Sequence, residues 1–259
     1  MQLALYSAST GMMAQQHNLD SIANDMANVN TVGYKRTQNE FQDLIYQNLK
    51  PVGADAGSGQ VTPTGVQIGN GTRLASTTKI FTQGQLTQTN EQFDLAIEGQ
   101  GFFEVELPDG RTVYTRAGTL KPNQDGQIVT SDGYVVKSGF TTLPKDMQNL
   151  FIAPNGQVTV ETPQGSQNFR IQLARFANPS GLKNLGGSLL EATEASGEAE
   201  LGNPSENAFG SIRQGYQEMS NVNIVQSMVN MITAQRAYEI NAKAIQTSDE
   251  MLSKINQLK

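Results

Sequence analysis

SNVNIVQSMVNMITAQRAYEINAKAIQTSDEMLSKINQL, Ser220 to Leu258, contains neither glycine nor proline and reads as one long helix. At the α-helical rise such a segment spans ~55 Å. Every seventh position of one row is apolar or aromatic: Ile224, Met231, Tyr238, Ile245 and Leu252. Met228, Ala234, Ala242 and Ile255 fill the steps between, while Gln235, Ser248 and Asp249 interrupt them. So narrow a row is a seam for other helices, not the broad face of a core helix. One helix alone cannot bury it, so it needs a partner.

The other end of the chain offers one. Leu5, Ala8, Met12, Leu19, Ile22, Met26 and Val29 repeat in steps of three and four, with Gln15 off pattern. This helix is expected to stop near Gly33, with Lys35 and Arg36 suited to its negative end. Gly11 inside it marks a close backbone approach or simply a weak point. Periodicity alone also allows a two-helix stalk that closes on its own domain.

Composition limits the rest. The 259 residues suffice for one large or two smaller domains with a real core. Net charge is −6 and no basic run exceeds Lys35-Arg36, which argues against nucleic-acid or anionic-membrane partners. The absence of cysteine removes disulfides, thiol catalysis and most zinc sites. No signal peptide is legible at the start, and no apolar run approaches the ~20 residues that span a bilayer, so membrane insertion is not expected.

Between the ends the pattern changes. Residues 37–49, TQNEFQDLIYQNL, are expected to extend the helix or form a second short one, with Phe41, Leu44 and Ile45 on one side. Residues 50–72 are rich in glycine and proline and read by composition as a flexible linker. From about Thr77 the period becomes two, as in Phe103, Val105 and Leu107 or Phe169, Ile171 and Leu173. Asp109-Gly110, Asp125-Gly126, Asp132-Gly133, Asn155-Gly156 and Pro163-Gln164-Gly165 punctuate these runs and predict antiparallel hairpins. The acidic, glycine- and serine-rich residues 186–209 are expected to form a solvated surface loop. The fold class is α+β: long N- and C-terminal helices pairing as a coiled-coil domain, with a β-rich middle domain. The predicted divisions are 1–34 with 215–259 for the helices, 35–76 as a connecting helix and extended stretch, and 77–214 for the β domain.

Chemical motifs are scarce. Gly99-Gln100-Gly101 lacks the third glycine and the following helix of a dinucleotide loop, so a kink where backbones approach is the better account. His17 is the only histidine and falls on the polar side of the first helix, which disfavours a Ser-His-Asp triad. Asp94, Glu98, Glu104 and Glu106 are close in sequence, and the wet face of a strand explains them better than a glycosidase pair. No cofactor, metal or catalytic residue is expected. The residues describe an interaction or assembly protein before an enzyme.

Four blocks give this reading a family. LDSIANDMANVNTVGYKR at 19–36, IEGQGFF at 97–103, YTRAG at 114–118 and SNVNIVQSMVNMITAQRAYEINAKAI at 220–245 resemble the axial proteins of the bacterial flagellum, in the same order. FQDLIYQ at 41–47, the Gly/Pro-rich stretch and PTGVQI at 63–68 resemble the distal-rod branch of that family. The acidic 191–206 region has no counterpart, and the opening MQLALYSAST is only loosely similar.

The resemblance implies a structural subunit that assembles with copies of itself into a helical tube and meets other rod subunits, the hook protein and surrounding ring proteins. It also implies export through the flagellar type III apparatus and a place in the basal body. It further implies that Leu5, Met12, Leu19, Ile22, Met26 and Val29 pack against Ile224, Met231, Tyr238, Ile245 and Leu252. Asn24, Asn28, Asn30, Gly33, Tyr34, Asn221 and Asn223 stand in its motifs, the asparagines expected at helix ends or between subunits. The stretch holding Pro51, Pro63 and Gly65 is expected to stiffen the rod by preventing subunits from sliding.

Overall fold

The computed structural model describes residues 2–50, 64–144 and 146–257. Pro51 and Pro63, and with them most of the expected stiffening stretch, lie outside the described residues. The chain divides into two compact units: residues 1–26, 37–78 and 224–259 form the first, residues 27–36 and 79–223 the second.

The first unit holds helix α1, Gln2–Ala27, and helix α2, Ile224–Gln257. At 1.5 Å per residue, α2 runs about 50 Å. Small side chains mark where the two approach. A Cβ on Gly11 would stand 3.0 Å from the Asn241 amide, so the glycine serves close packing. Ala8, Ala14 and Ile22 are buried on α1, but α2 buries only Ala234.

Residues 37–49 are not helical, which corrects the expectation from sequence. They form strands Thr37–Asp43 and Tyr46–Lys50. Tertiary hydrogen bonds decide the outcome. The Thr37 N–H donates to the buried Asp25 carboxylate at the end of α1. The Asn39 amide donates to Ser21 Oγ and the His17 carbonyl. Exposure then alternates from Thr37 to Glu40, the period of a strand and not of a helix. Thr37–Asp43 pairs with Thr72–Lys79, and Tyr46–Lys50 pairs with Val66–Gly69 as a separate two-stranded arm.

The second unit is β-rich. A seven-stranded antiparallel sheet runs Lys183–Gly186, Leu189–Glu191, Thr112–Thr115, Phe103–Glu106, Val135–Val136, Ile128–Thr130 and Leu120–Pro122. Asn149–Ile152, Gln157–Thr162 and Gly165–Arg170 form a three-stranded sheet. Their alternating inward residues, Phe103, Val105, Val113, Val158 and Val160, share one core with Leu95, Ile97, Ile171 and Leu173. Hairpins close at Asp109-Gly110, Asp125-Gly126, Asp132-Gly133, Asn155-Gly156 and the 163–165 turn, as their turn chemistry predicts.

Two boundaries differ from expectation. α1 stops at Ala27, because the Asn28 carbonyl and side chain take up Thr31 in a turn, and residues 27–36 belong to the β-rich unit. The acidic region is not wholly a loop. Leu189 and Leu190 are buried in the seven-stranded sheet, and the burial of their side chains outweighs the surrounding polarity. Glu191 meets Arg111 and Lys183, and Glu200 meets Arg175.

Candidate functional site

Residues of three sequence blocks meet in the β-rich unit around one buried carboxylate, which lies just before the fourth. Glu218 ends the strand Tyr216–Glu218, and its side chain is fully buried. Lys35 Nζ donates to Glu218 Oε1 at 2.7 Å, and Arg116 Nε donates to Oε2 at 2.6 Å. Both cations are also buried. Gly84 N–H donates to Oε1 at 2.9 Å.

The remaining donors are spent on backbone. Lys35 Nζ also donates to the Thr82 carbonyl at 2.8 Å. Arg116 donates to the carbonyls of Ile97, Gly99 and Gly101. The Gly-Gln-Gly segment is therefore a kink that turns its carbonyls onto a guanidinium, whose planar fork of donors suits the task. An isolated carboxylate could not be buried here; two cations and four carbonyls make the cluster viable.

Burial acts first on the ionisation of both partners. It would push the Glu218 carboxyl up, but the charges of Arg116 and Lys35 and their hydrogen bonds outweigh it and hold Glu218 below the usual carboxylate range. Burial lowers the Lys35 ammonium despite the attraction of Glu218, and the Arg116 cation adds to that lowering.

Backbone contacts draw the two ends of the unit together around this cluster. Gly33 N–H donates to the Glu218 carbonyl at 2.8 Å, and Arg36 N–H donates to Asn221 Oδ1 at 2.8 Å. The Asn221 amide reaches the carbonyls of Ile80 and Thr82. Gly33 sits at φ +70°, and a Cβ there would lie 2.6 Å from the Ala117 nitrogen. Gly33→Ala is expected to cost about 1–2 kcal/mol from the left-handed backbone alone, and more from the clash. Chemical denaturation would show this as an earlier unfolding midpoint; an unchanged midpoint would contradict it.

The sequence-predicted residues are placed unevenly. Asn221 is half-covered and stands beside the cluster, bonding the Arg36 N–H and the Ile80 and Thr82 carbonyls. Tyr34 lies under Lys79, whose Nζ is 4.8 Å from the ring centre. Asn28 turns the chain after α1, and Asn24, Asn30 and Asn223 are exposed. Ile22 is buried; Leu5, Met12, Leu19, Met26, Val29, Met231, Ile245 and Leu252 are half-covered; Ile224 and Tyr238 are exposed. Gly65 is half-covered.

Sequence reasoning missed Arg116 and Glu218 and gave Lys35 only a helix-end role. The available signal was a charged residue inside, or just beside, each of three separated blocks. The four clustered acids do not form a catalytic pair. Asp94 is buried and accepts from Thr89 and Gln217, Glu98 meets Arg213, and Glu106 meets Lys137. A cavity of about 520 Å³ adjoins Lys35, and among the described residues Asp132 is the one carboxylate in its wall. Among the described residues, no group of acidic or histidine side chains could hold a metal ion, and no helix is long and apolar enough to cross a membrane.

Comparison with known proteins matches the same blocks. Residues 5–35 match the family described as flagella basal body rod protein. Residues 96–160 match the flagellar hook protein FlgE/F/G D1 domain, and residues 213–258 the flagellar basal body rod FlgEFG protein C-terminal region. The chain is 45% identical to the flagellar basal-body rod protein FlgG of Borreliella burgdorferi, over 100% of this chain and 99% of that one. It is 46% identical to FlgG of Caulobacter vibrioides, over 99% of each chain. Identity to FlgG of Bacillus subtilis is 36%, over 99% of this chain and 98% of the other.

Proposed function

Because the chain belongs to the flagellar basal-body rod protein family, we propose that it is a structural subunit of the distal rod, the drive shaft that transmits torque to the hook. In this reading it has no enzymatic role. Copies add to one another through contacts that do not close a ring, which generates a helical tube. Other rod subunits, the hook protein and ring proteins adjoin that tube in the basal body, after export by the flagellar type III apparatus.

The observation that carries the reading is apolar surface left without cover. On α2, Ile224, Val225, Met228, Val229, Ile232 and Ile240 are exposed, Val225 at 72%. Just before the two-stranded arm Ile45 is 84% exposed, and on the arm itself Leu49 is 65% exposed, with Val66 and Ile68 also exposed on the partner strand. A two-stranded ribbon is marginal without a partner, and contiguous apolar patches mark interaction surfaces. Imaging the purified chain at high concentration tests the proposal. Tubes with a central channel support it, and dispersed particles under all assembly conditions refute it.

The stretch 51–63 enters on sequence grounds alone. We propose that it wedges between neighbouring subunits and blocks the sliding that bending requires. Its two prolines lower the entropy lost on ordering. Deleting Val52 to Thr62 is expected to give curved or flexible filaments; straight ones of unchanged stiffness would end the idea.

A further inference from the structure

We infer that the Lys35–Glu218–Arg116 cluster is a latch that holds the segments leading into both terminal helices in the unassembled subunit, so that assembly has only the helices themselves left to order. The latch itself stands on the geometry of the single subunit; only its consequence for assembly rests on the distal-rod reading.

Burial differs sharply along the terminal regions. In the segment after α1, Gly33 and Lys35 are buried, and in the segment before α2, Glu218, Ser220 and Val222 are buried. These two segments bond directly, through Gly33 N–H to the Glu218 carbonyl and through Lys35 to the Glu218 carboxylate. The helices beyond them bury less of their length: α1 buries Ala8, Ala14, Ile22 and Asp25 among its 26 residues. α2 buries one residue, Ala234, and carries the exposed apolar row. Regions with few buried contacts open at low free energy, whereas a buried, charge-assisted network opens only with the unit around it.

The geometry thus makes Lys35, Arg116 and Glu218 positioning residues. Lys35 arrives from the N-terminal motif, Glu218 from the residues just before the C-terminal motif, and Arg116 from the sheet between. The triad closes only when all three are in place. The boundary between ordered and assembly-ordered chain then falls at Ala27 and Asn223, not at Tyr34 and Gln214 as the sequence divisions place it. Carboxylate and cations also select this pairing over a slipped one, because a one-residue shift would leave a buried charge unpaired.

Hydrogen exchange on the soluble full-length monomer tests the latch. Gly33 and Arg36 amides are expected to exchange at least ~100-fold more slowly than amides in the middle of α1 and α2. In Lys35→Met, Glu218 retains Arg116 and Gly84, so Val105 and Val158 should keep their protection. Gly33 and Arg36 should lose ~tenfold or more, and the concentration needed for assembly should rise by a similar factor. Asn221→Ala, which removes the Arg36 acceptor without touching a charge, should move Arg36 exchange in the same direction. Rapid exchange of Gly33 and Arg36 in the unmodified chain would overturn the latch, as would Lys35→Met leaving their exchange unchanged. If the unmodified chain never assembles while both protections hold and Lys35→Met removes them, the latch stands and the rod reading falls.

Discussion

Glu218→Gln is expected to destabilise the β-rich unit by about 3–5 kcal/mol, the usual cost of breaking a buried ion pair from one side. Glutamine has nearly the same shape, so the loss is electrostatic and not steric. Lys35 and Arg116 would remain buried at 3% and 6% side-chain exposure, facing a neutral amide in place of a carboxylate. Calorimetry should show a melting temperature lower by about 10 °C or more. A decrease under about 2 °C would mean that the cations find other partners and that the cluster contributes little.

Acid titration gives the same carboxylate a second signature. The folded-state pKa of Glu218 lies below the ordinary value of 4.5. Between those two values the unfolded chain holds more protons, so this contribution to stability is complete above pH 4.5 and is lost as pH falls through the depressed value. Lys35 stays protonated in both states over that window and adds no slope. Glu218→Gln should therefore flatten the acid limb of the stability curve as well as lower it. Replacing all three charges with apolar residues would not restore the fold fully, because the Ile97, Gly99 and Gly101 carbonyls would lose their donor.

Different parts of the fold were legible to different degrees for physical reasons. Asp109-Gly110 and Asn155-Gly156 announce their hairpins because turn conformation is decided by the turn residues themselves. α2 announces itself because it lacks glycine and proline and keeps an apolar or aromatic residue at every seventh position of one row. Residues 37–43 do not, since TQNEFQD has no strong local preference and Asp25, Ser21 and His17 settle its conformation from another element. Leu189 and Leu190 were hidden in an acidic, glycine-rich setting, although two adjacent leucines suffice to extend a sheet. The cluster was least legible. Lys35 and Glu218 are 183 positions apart, and no periodicity or spacing rule relates charges at that distance. The seven-residue apolar row was legible as a pattern, but its degree of cover was not. Sequence makes Ile245 the natural probe position, while the structure shows Ile245 half-covered and Ile232 open.

Ile232→Asp is therefore expected to abolish assembly while leaving the subunit folded. Ile232 is 53% exposed and lies in the same uncovered row as Val225, Val229 and Ile240. In the monomer an aspartate there stays hydrated, so stability should change by no more than about 0.5 kcal/mol. In the proposed tube, a neighbouring subunit's apolar surface covering the row would strip the same carboxylate of its water. An uncompensated buried charge costs about 3–5 kcal/mol, which raises the concentration needed for assembly at least about a hundredfold. In the proposed tube, repetition would multiply the effect, since every added subunit would meet the same cost. Ile232→Leu, which keeps the apolar area, should assemble normally. Sedimentation of both variants beside the unmodified chain reads the outcome. Pelleting of Ile232→Asp at unchanged concentration would show that this row faces solvent in the proposed tube, and the contact would have to be sought at Ile45 and on the two-stranded arm at Leu49.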